Sequence, residues 1–479
     1  MPTATPAPDR RDEVTVAGLG PTPSTAWPAR LRTAAGRSVP ADSVAAFRIA
    51  FGLLAAAGSI RFLARGWVDT LYLEPANHLT YPWLGWVQPW PAPLMHLHVA
   101  ALAVLGLCVA AGYRTRLAAA LFVVGFAWTE AIDAALYLNH YWFLTLAAVL
   151  IALLPTGHHW SIDAVTGRVP ARPGVAAGVV WALRAQLAVV YAFAGVAKLN
   201  GDWLLLAQPL RLWLADRTAV PVVGPLLDEP VVAYAASWGG ALFDLTIVGW
   251  LLWRRSRPLA WAAVVTFHLV TGALFPIGLF PLVMILGTLI FFPADWPSRL
   301  ADRLGRRPRL ERSSAPSDGV AGPRAVSSPL AIGALSVLAV VQLALPLRHY
   351  ANDGNVRWTE EGYHLAWRVM LTDKAGHVGY EITDPATGER FLAHPDLVLT
   401  DWQANAAAIR PDLIHATAHL LAEHYAGLGR PGVEVRADAW VSMNGRPRQR
   451  LVDQTIDLAA HDRGRMPAGW ILDPDPTGG

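Results

Sequence analysis

One cysteine, Cys108, and a shortage of charge set the first limits on this 479-residue chain. A lone thiol inside an apolar run closes no intrachain disulfide and cannot supply a thiolate metal cluster. Charged residues make up 16% of the sequence, whereas soluble domains carry about a quarter, so the chain lacks the polar surface to live wholly in water. The net charge is only +3. Its basic residues fall in short clusters between apolar stretches, a distribution that suits topology signalling and argues against nucleic acid as a partner. There is no Gly-rich phosphate loop, no nucleophilic-serine elbow and no internal repeat. Near the amino terminus no apolar core precedes a cleavage site, so no signal peptide is expected.

What is there is hydrophobic length. Apolar residues form 54% of the chain, and runs near the length of a bilayer crossing recur along most of it. The reading is a polytopic α-helical membrane protein in the cell membrane. Windows place about nine transmembrane helices at 43–63, 92–112, 117–136, 137–154, 177–197, 232–253, 258–275, 277–292 and 327–347. Residues 1–40, rich in Pro, Ala, Thr and Arg, read as a disordered cytoplasmic tail. Arginine placement orients the bundle, residues 41–348. Arg114 and Arg116, Arg168 and Arg172, Arg254, Arg255 and Arg257, and the run from Arg299 to Arg312 all fall on the side of the amino terminus. The opposite loops hold only Arg65, Arg211 and Arg217, which puts the carboxyl-terminal region outside.

From 349 to 479 the pattern becomes that of a small extracytoplasmic α+β domain. Leu365, Trp367, Val369 and Leu371 alternate, as do Val378, Tyr380 and Ile382, which predicts a hairpin turning at Asp373-Lys374-Ala375-Gly376. A helical pattern runs through Ile409, Leu413, Ala416, His419, Leu420 and His424. Further strands are predicted at 433–435, 439–441 and 450–452.

Three polar signals break the apolar spans. Lys198 ends the run Val190 to Trp203, where a charge is costly to keep and a base can be made; the plainer reading is a lysine reaching for the headgroups. Leu138-Asn139-His140-Tyr141-Trp142 opens another span, with an amide and an imidazole that can hold an anionic oxygen or pass a proton. Taken singly, it reads as a helix-start asparagine beside a satisfied histidine. His268 falls within a third span, where a packed core histidine is the commoner case. Topology lets all three share the outer half of one bundle. Arg48 and Arg184 are expected to pair with Asp244, Glu130 or Asp133. No metal site is expected. Adjacent His158 and His159 do not share a helix face, and His415 and His419 enclose Ala-Thr-Ala without the Glu of a zinc protease.

The order and wording of these segments resemble the vitamin K-dependent gamma-glutamyl carboxylase family, whose core is the HTTM domain. The likeness runs from Arg48-Ile49-Ala50-Phe51-Gly52-Leu53 through Asn139-His140, His159-Trp160-Ser161-Ile162-Asp163 and Tyr191 to Trp203. It continues through Gly239-Gly240-Ala241-Leu242-Phe243-Asp244, Phe267-His268 and Leu274 to Phe280. It takes in Trp367-Arg368-Val369-Met370 and Asp438-Ala439-Trp440-Val441-Ser442-Met443-Asn444.

The resemblance implies an integral membrane enzyme that oxidises a reduced vitamin K or menaquinol-type hydroquinone with O2 to its epoxide. That oxidation is coupled to carboxylation of peptidyl glutamate with CO2. Lys198 would be the base that deprotonates the quinol, and His140 with Asn139 would stabilise charge at the reacting centre. Tyr191 and His268 would line the site, and Met370 would lie where the outer domain meets the bundle. Implied partners are membrane lipid, a lipid-soluble quinol and a glutamate-bearing acceptor protein. The family's lysine pair is Ala197-Lys198 here. Two other functions stay open: a quinol epoxidase that does not carboxylate, and a non-catalytic membrane scaffold or lipid-binding module.

Overall fold

The computed structural model describes residues 30, 33–305, 329–352, 354–464 and 468–474. Most of the expected tail and the end of the basic run, from 306 to 312, lie outside them. The first bundle helices are α1 (Asp42–Ala64), α2 (Ala92–Ala111), α3 (Thr115–Ile132), α4 (Asn139–Leu153) and α5 (Ala177–Ala197). Two short helices, α6 (Gly201–Leu206) and α7 (Leu210–Ala215), precede α8 (Pro230–Leu252) and α9 (Arg257–Leu274). Then come α10 (Phe280–Gly287), α11 (Trp296–Arg303) and α12 (Pro329–Ala344). Among the described residues, seven helices are long and apolar enough to cross a membrane, or eight if the bent stretch from Phe280 to Arg303 counts as one span. The expected nine is thus reduced: α4 has only 15 residues, and the span expected at 277–292 is the short stretch Phe280–Phe291, which meets Trp296–Arg303 at 95°.

Small residues set how closely the helices pack. A Cβ on Gly106 of α2 would lie 2.8 Å from the backbone nitrogen of Ala56 in α1, so only glycine permits that crossing. Gly195 does the same for α5 and α8, where an added Cβ would sit 2.9 Å from the Leu245 nitrogen. The core between them is aliphatic and aromatic, including Phe51, Phe122, Phe143, Leu146, Leu183, Leu187 and Phe291.

The arginines of α1 and α5 correct an expectation. Arg48 pairs with no carboxylate in the described residues; its guanidinium donates to the carbonyls of Val109 (2.9 Å), Ala110 (3.1 Å) and Trp160 (2.6 Å). Arg184 donates to Ile290 (2.9 Å) and Phe292 (3.2 Å). Carbonyls left over at helix ends carry partial negative charge, and these cations satisfy them. Asp133 is used elsewhere, accepting from the Ala135 amide (2.9 Å) and from Gln403 (2.8 Å).

Ser38–Pro40 forms β1 and pairs antiparallel with β2 (Gly174–Ala176), so ordered structure begins before residue 41. The carboxyl-terminal unit has a four-stranded antiparallel sheet in the order β4-β3-β5-β6. Its strands are β3 (Lys374–Thr383), β4 (Arg390–Ala393), β5 (Glu434–Met443) and β6 (Gln449–Arg450). Two helices, α13 (Asp401–Ala407) and α14 (Pro411–Gly427), accompany it, with Ile414, Ala418 and Leu421 of α14 in the same core as Val435, Ala437 and Val441 of β5. The predicted hairpin turn at 373–376 is instead the start of β3, which pairs with β5 along its whole length. The segment 360–371 is not a strand. It is an irregular strap, and its alternation reflects buried Trp367 and Leu371 rather than a pleat.

Candidate functional site

Lys198 caps the carboxyl end of α5, and Gly195 one turn earlier lets α8 approach. The result is a buried ion pair: Lys198 Nζ lies 2.7 Å from Asp244 Oδ2, the two residues being 6% and 5% exposed. The lysine is therefore not the lone amine that the sequence suggests. Its remaining contacts are weak, a 3.4 Å approach to the Ala194 carbonyl and the face of Trp203 at 5.2 Å. Asp244 is the residue that sequence reasoning misassigned, and an ionisable group inside an apolar span was the signal for it.

One cavity of about 1120 Å³ is lined by all six residues singled out in the sequence: Lys198, His140, Asn139, Tyr191, His268 and Met370. The Tyr191 hydroxyl and His268 Nε2 share a hydrogen bond of 3.0 Å. Phe280 stands between the two histidines, its ring centre 5.5 Å from that of His140 and 5.9 Å from that of His268. The His140 imidazole makes ring contacts and no hydrogen bond among the described residues. The rest of the wall is largely apolar, with Phe243, Phe267, Leu274 and Leu144 among the lining residues.

The roof is the strap 360–371. Glu360, Leu365, Trp367 and Met370 all have φ between 55° and 59°, a left-handed conformation that costs a side-chain-bearing residue about 1–2 kcal/mol. Such strain persists only where surrounding contacts impose it. Tyr137 supplies them: its hydroxyl accepts from the Leu365 amide (2.7 Å) and donates to Asn139 Oδ1 (3.1 Å). Asn139 Nδ2 in turn donates to the Arg368 carbonyl at 3.1 Å. His364 packs edge-on against Tyr137 at 4.6 Å, and burial pushes its imidazole down to about 4.

A second cluster fastens the carboxyl-terminal unit to the loop after Lys198. Asn200 caps α6, accepting from the Trp203 amide at 3.1 Å and from Arg357 at 2.7 Å. Asp202 is buried and accepts from Asn444 (2.8 Å) and Arg446 (2.5 Å), with Arg357 at 2.9 Å. Burial works against its charge, but Arg446, Asn444 and Arg357 together hold its carboxyl below the usual range.

Among the described residues no group of three His, Cys, Asp or Glu is placed to hold a metal ion. His415 and His419 both direct Nε2 to the His461 carbonyl (3.0 and 2.9 Å), and His159 lies 3.0 Å from Asp42.

Residues 37–296 match the HTTM domain, and residues 327–476 match the "Vitamin K-dependent gamma-carboxylase, lumenal domain". No solved structure matches the chain.

Proposed function

Because the chain belongs to the vitamin K-dependent gamma-carboxylase family, we propose that it couples the oxygenation of a vitamin K-type hydroquinone to the carboxylation of protein glutamate. The observation that carries this reading is the Lys198–Asp244 pair in the wall of a large, mostly apolar cavity. A lipid quinol fits such a chamber, with aromatic walls for its ring and tail and a polar end at Lys198. When bound, the hydroquinone and O2 supply the driving force for γ-proton removal, after which CO2 is captured.

The side chains do the proton work. Lys198 accepts the hydroquinone hydroxyl proton at Nζ, and Asp244, in contact with that nitrogen, offers a second seat for a proton. In a water-poor cavity a proton shared between amine and carboxylate can rest on either, so the amine reaches its basic form without leaving the site. Tyr191 and His268 hold each other and present one polar face beside the pair. His140 and Asn139 stabilise negative charge near the carboxylation centre. Apolar walls keep water from quenching the reactive centre. The arginine pattern supports an amino terminus in the cytoplasm and a carboxyl-terminal unit outside, where secreted chains are accessible.

The test is a single reaction in detergent containing reduced vitamin K, O2, labelled bicarbonate and a short glutamate peptide. Wild type is expected to yield epoxide and labelled peptide together. Lys198→Ala is expected to lose both, and Lys198→Arg not to restore them because arginine stays protonated. Wild-type rates in both variants sink the assignment. His140→Ala should damage carboxylation at least as much as epoxide formation, and an unchanged carboxylation rate removes it from the site.

A further inference from the structure

The cavity wall carries both paired and unpaired charges: Glu130, Arg61 and Arg368 line it without an ion pair among the described residues. Lys198 is matched by Asp244, and Arg410 by Asp412 at 2.7 Å with Glu360 at 3.6 Å. Arg368, a lining residue on the roof, is different. Its partner is neutral: an Nη of the guanidinium donates to His349 Nε2 at 2.7 Å, and no carboxylate of the described residues lies within ion-pair distance. The histidine is itself aimed. Its Nδ1–H donates to the Pro346 carbonyl at 2.8 Å, which leaves the Nε2 lone pair for Arg368. Next to it, Arg348 also lacks a carboxylate partner among the described residues; its Nη2 donates to the His364 carbonyl at 2.7 Å.

Partly buried guanidinium groups held in place by neutral acceptors are uncompensated cations in a poorly hydrated site, a costly arrangement unless an anion arrives. Its position says which anion. Arg368 hands its own backbone carbonyl to Asn139, so the guanidinium belongs to the same strap residue that contacts the Asn139-His140 end of the cavity. Arg61, another lining residue, also has no carboxylate partner among the described residues, but it lies over the face of Trp67 at 4.9 Å and makes no side-chain hydrogen bond among them.

We infer that Arg368, held by His349, recognises the side-chain carboxylate of the acceptor glutamate by a forked, charge-assisted pair of hydrogen bonds. This rests on the carboxylase reading and adds a substrate-recognising residue to it. The planar fork is suited to one carboxylate, and Arg348 leaves positive charge nearby for the second carboxylate of the product. His349 acts through Arg368 and is a positioning residue.

The experiment measures equilibrium binding of a short fluorescent glutamate peptide, and of its glutamine counterpart, to the full-length protein in detergent. Turnover is not needed. Wild type should prefer the glutamate peptide by about tenfold to a hundredfold, the scale of a charged hydrogen-bonded contact. Arg368→Gln should remove that preference. His349→Ala, which leaves the cation but not its aim, should weaken glutamate-peptide binding several-fold, while His349→Gln, which keeps an acceptor, should restore most of it. A wild type that does not discriminate the two peptides overturns the inference, as does discrimination that survives in Arg368→Gln. Should that variant fail to fold, Arg368→Lys decides: undiminished preference overturns the role of the fork, and a reduced one supports it. Absence of epoxide from wild type would sink the parent reading while leaving this binding result standing.

Discussion

Lys198 and Asp202 are four positions apart, and the two charges live in opposite circumstances. Lys198 has one strong partner, Asp244, and otherwise faces an apolar cavity. Asp202 is surrounded by Arg357, Arg446 and Asn444, all from the carboxyl-terminal unit. A saturated charge has nothing left to offer a substrate and contributes to docking; a sparsely paired one retains the capacity to exchange a proton. The stretch from 198 to 202 thus joins a sparsely paired charge to a saturated one, with Asn200 capping the helix that carries Asp202.

The sharpest way to break the contrast is to delete the reactive member. Lys198→Ala should cut epoxide formation by about 10²–10⁴, the usual contribution of a positioned acid or base, as read by product analysis. Gly195→Ala leaves every polar group in place but forces a methyl against the backbone of α8. A shift of order 1 Å between Lys198 and Asp244 should then cost activity about 10²-fold; an unchanged rate would mean that the spacing of the pair is irrelevant. Asp202→Ala should act chiefly on stability. Loss of about 3 kcal/mol is the order for breaking a buried pair, seen as a lower thermal midpoint in detergent, and a midpoint equal to wild type would show the clamp to be ornamental.

The smallest effect concerns His364. Its folded imidazole is held near 4 by burial, against about 6.5 in an unfolded chain. Between those values the unfolded state binds more protons than the folded one, so stability rises with pH across about 4 to 6.5 and this contribution is complete above it. His364→Phe should flatten that part of the stability profile, and an unaltered slope there removes His364 as its source.

Much of the bundle was legible because apolar length is a local property. The run predicted at 177–197 is Ala177–Ala197, and the one at 43–63 is Asp42–Ala64. The span predicted at 277–292 was harder, because hydropathy does not register that the helix there starts only at Phe280 and that the chain turns by 95° after Phe291. The strap was misread for a related reason. Leu365, Trp367 and Leu371 alternate like a strand, while left-handed φ angles at Leu365, Trp367 and Met370 turn the chain over the cavity. At the site, the six residues named from the sequence do line one chamber, but their partners were not visible. Asp244 lies 46 positions from Lys198, and Arg368 reaches Asn139 across 229; pairings between distant segments leave no periodicity to read.

Over Asn139 the strap is held through its backbone, while Glu360 and Arg368 also anchor it through their side chains. Tyr137 takes the Leu365 amide and Asn139 takes the Arg368 carbonyl, atoms that any residue other than proline could provide. Attachment of this kind is indifferent to side-chain identity. A substitution among the residues that face the chamber therefore leaves these two backbone ties, and with them the aim of Asn139, in place.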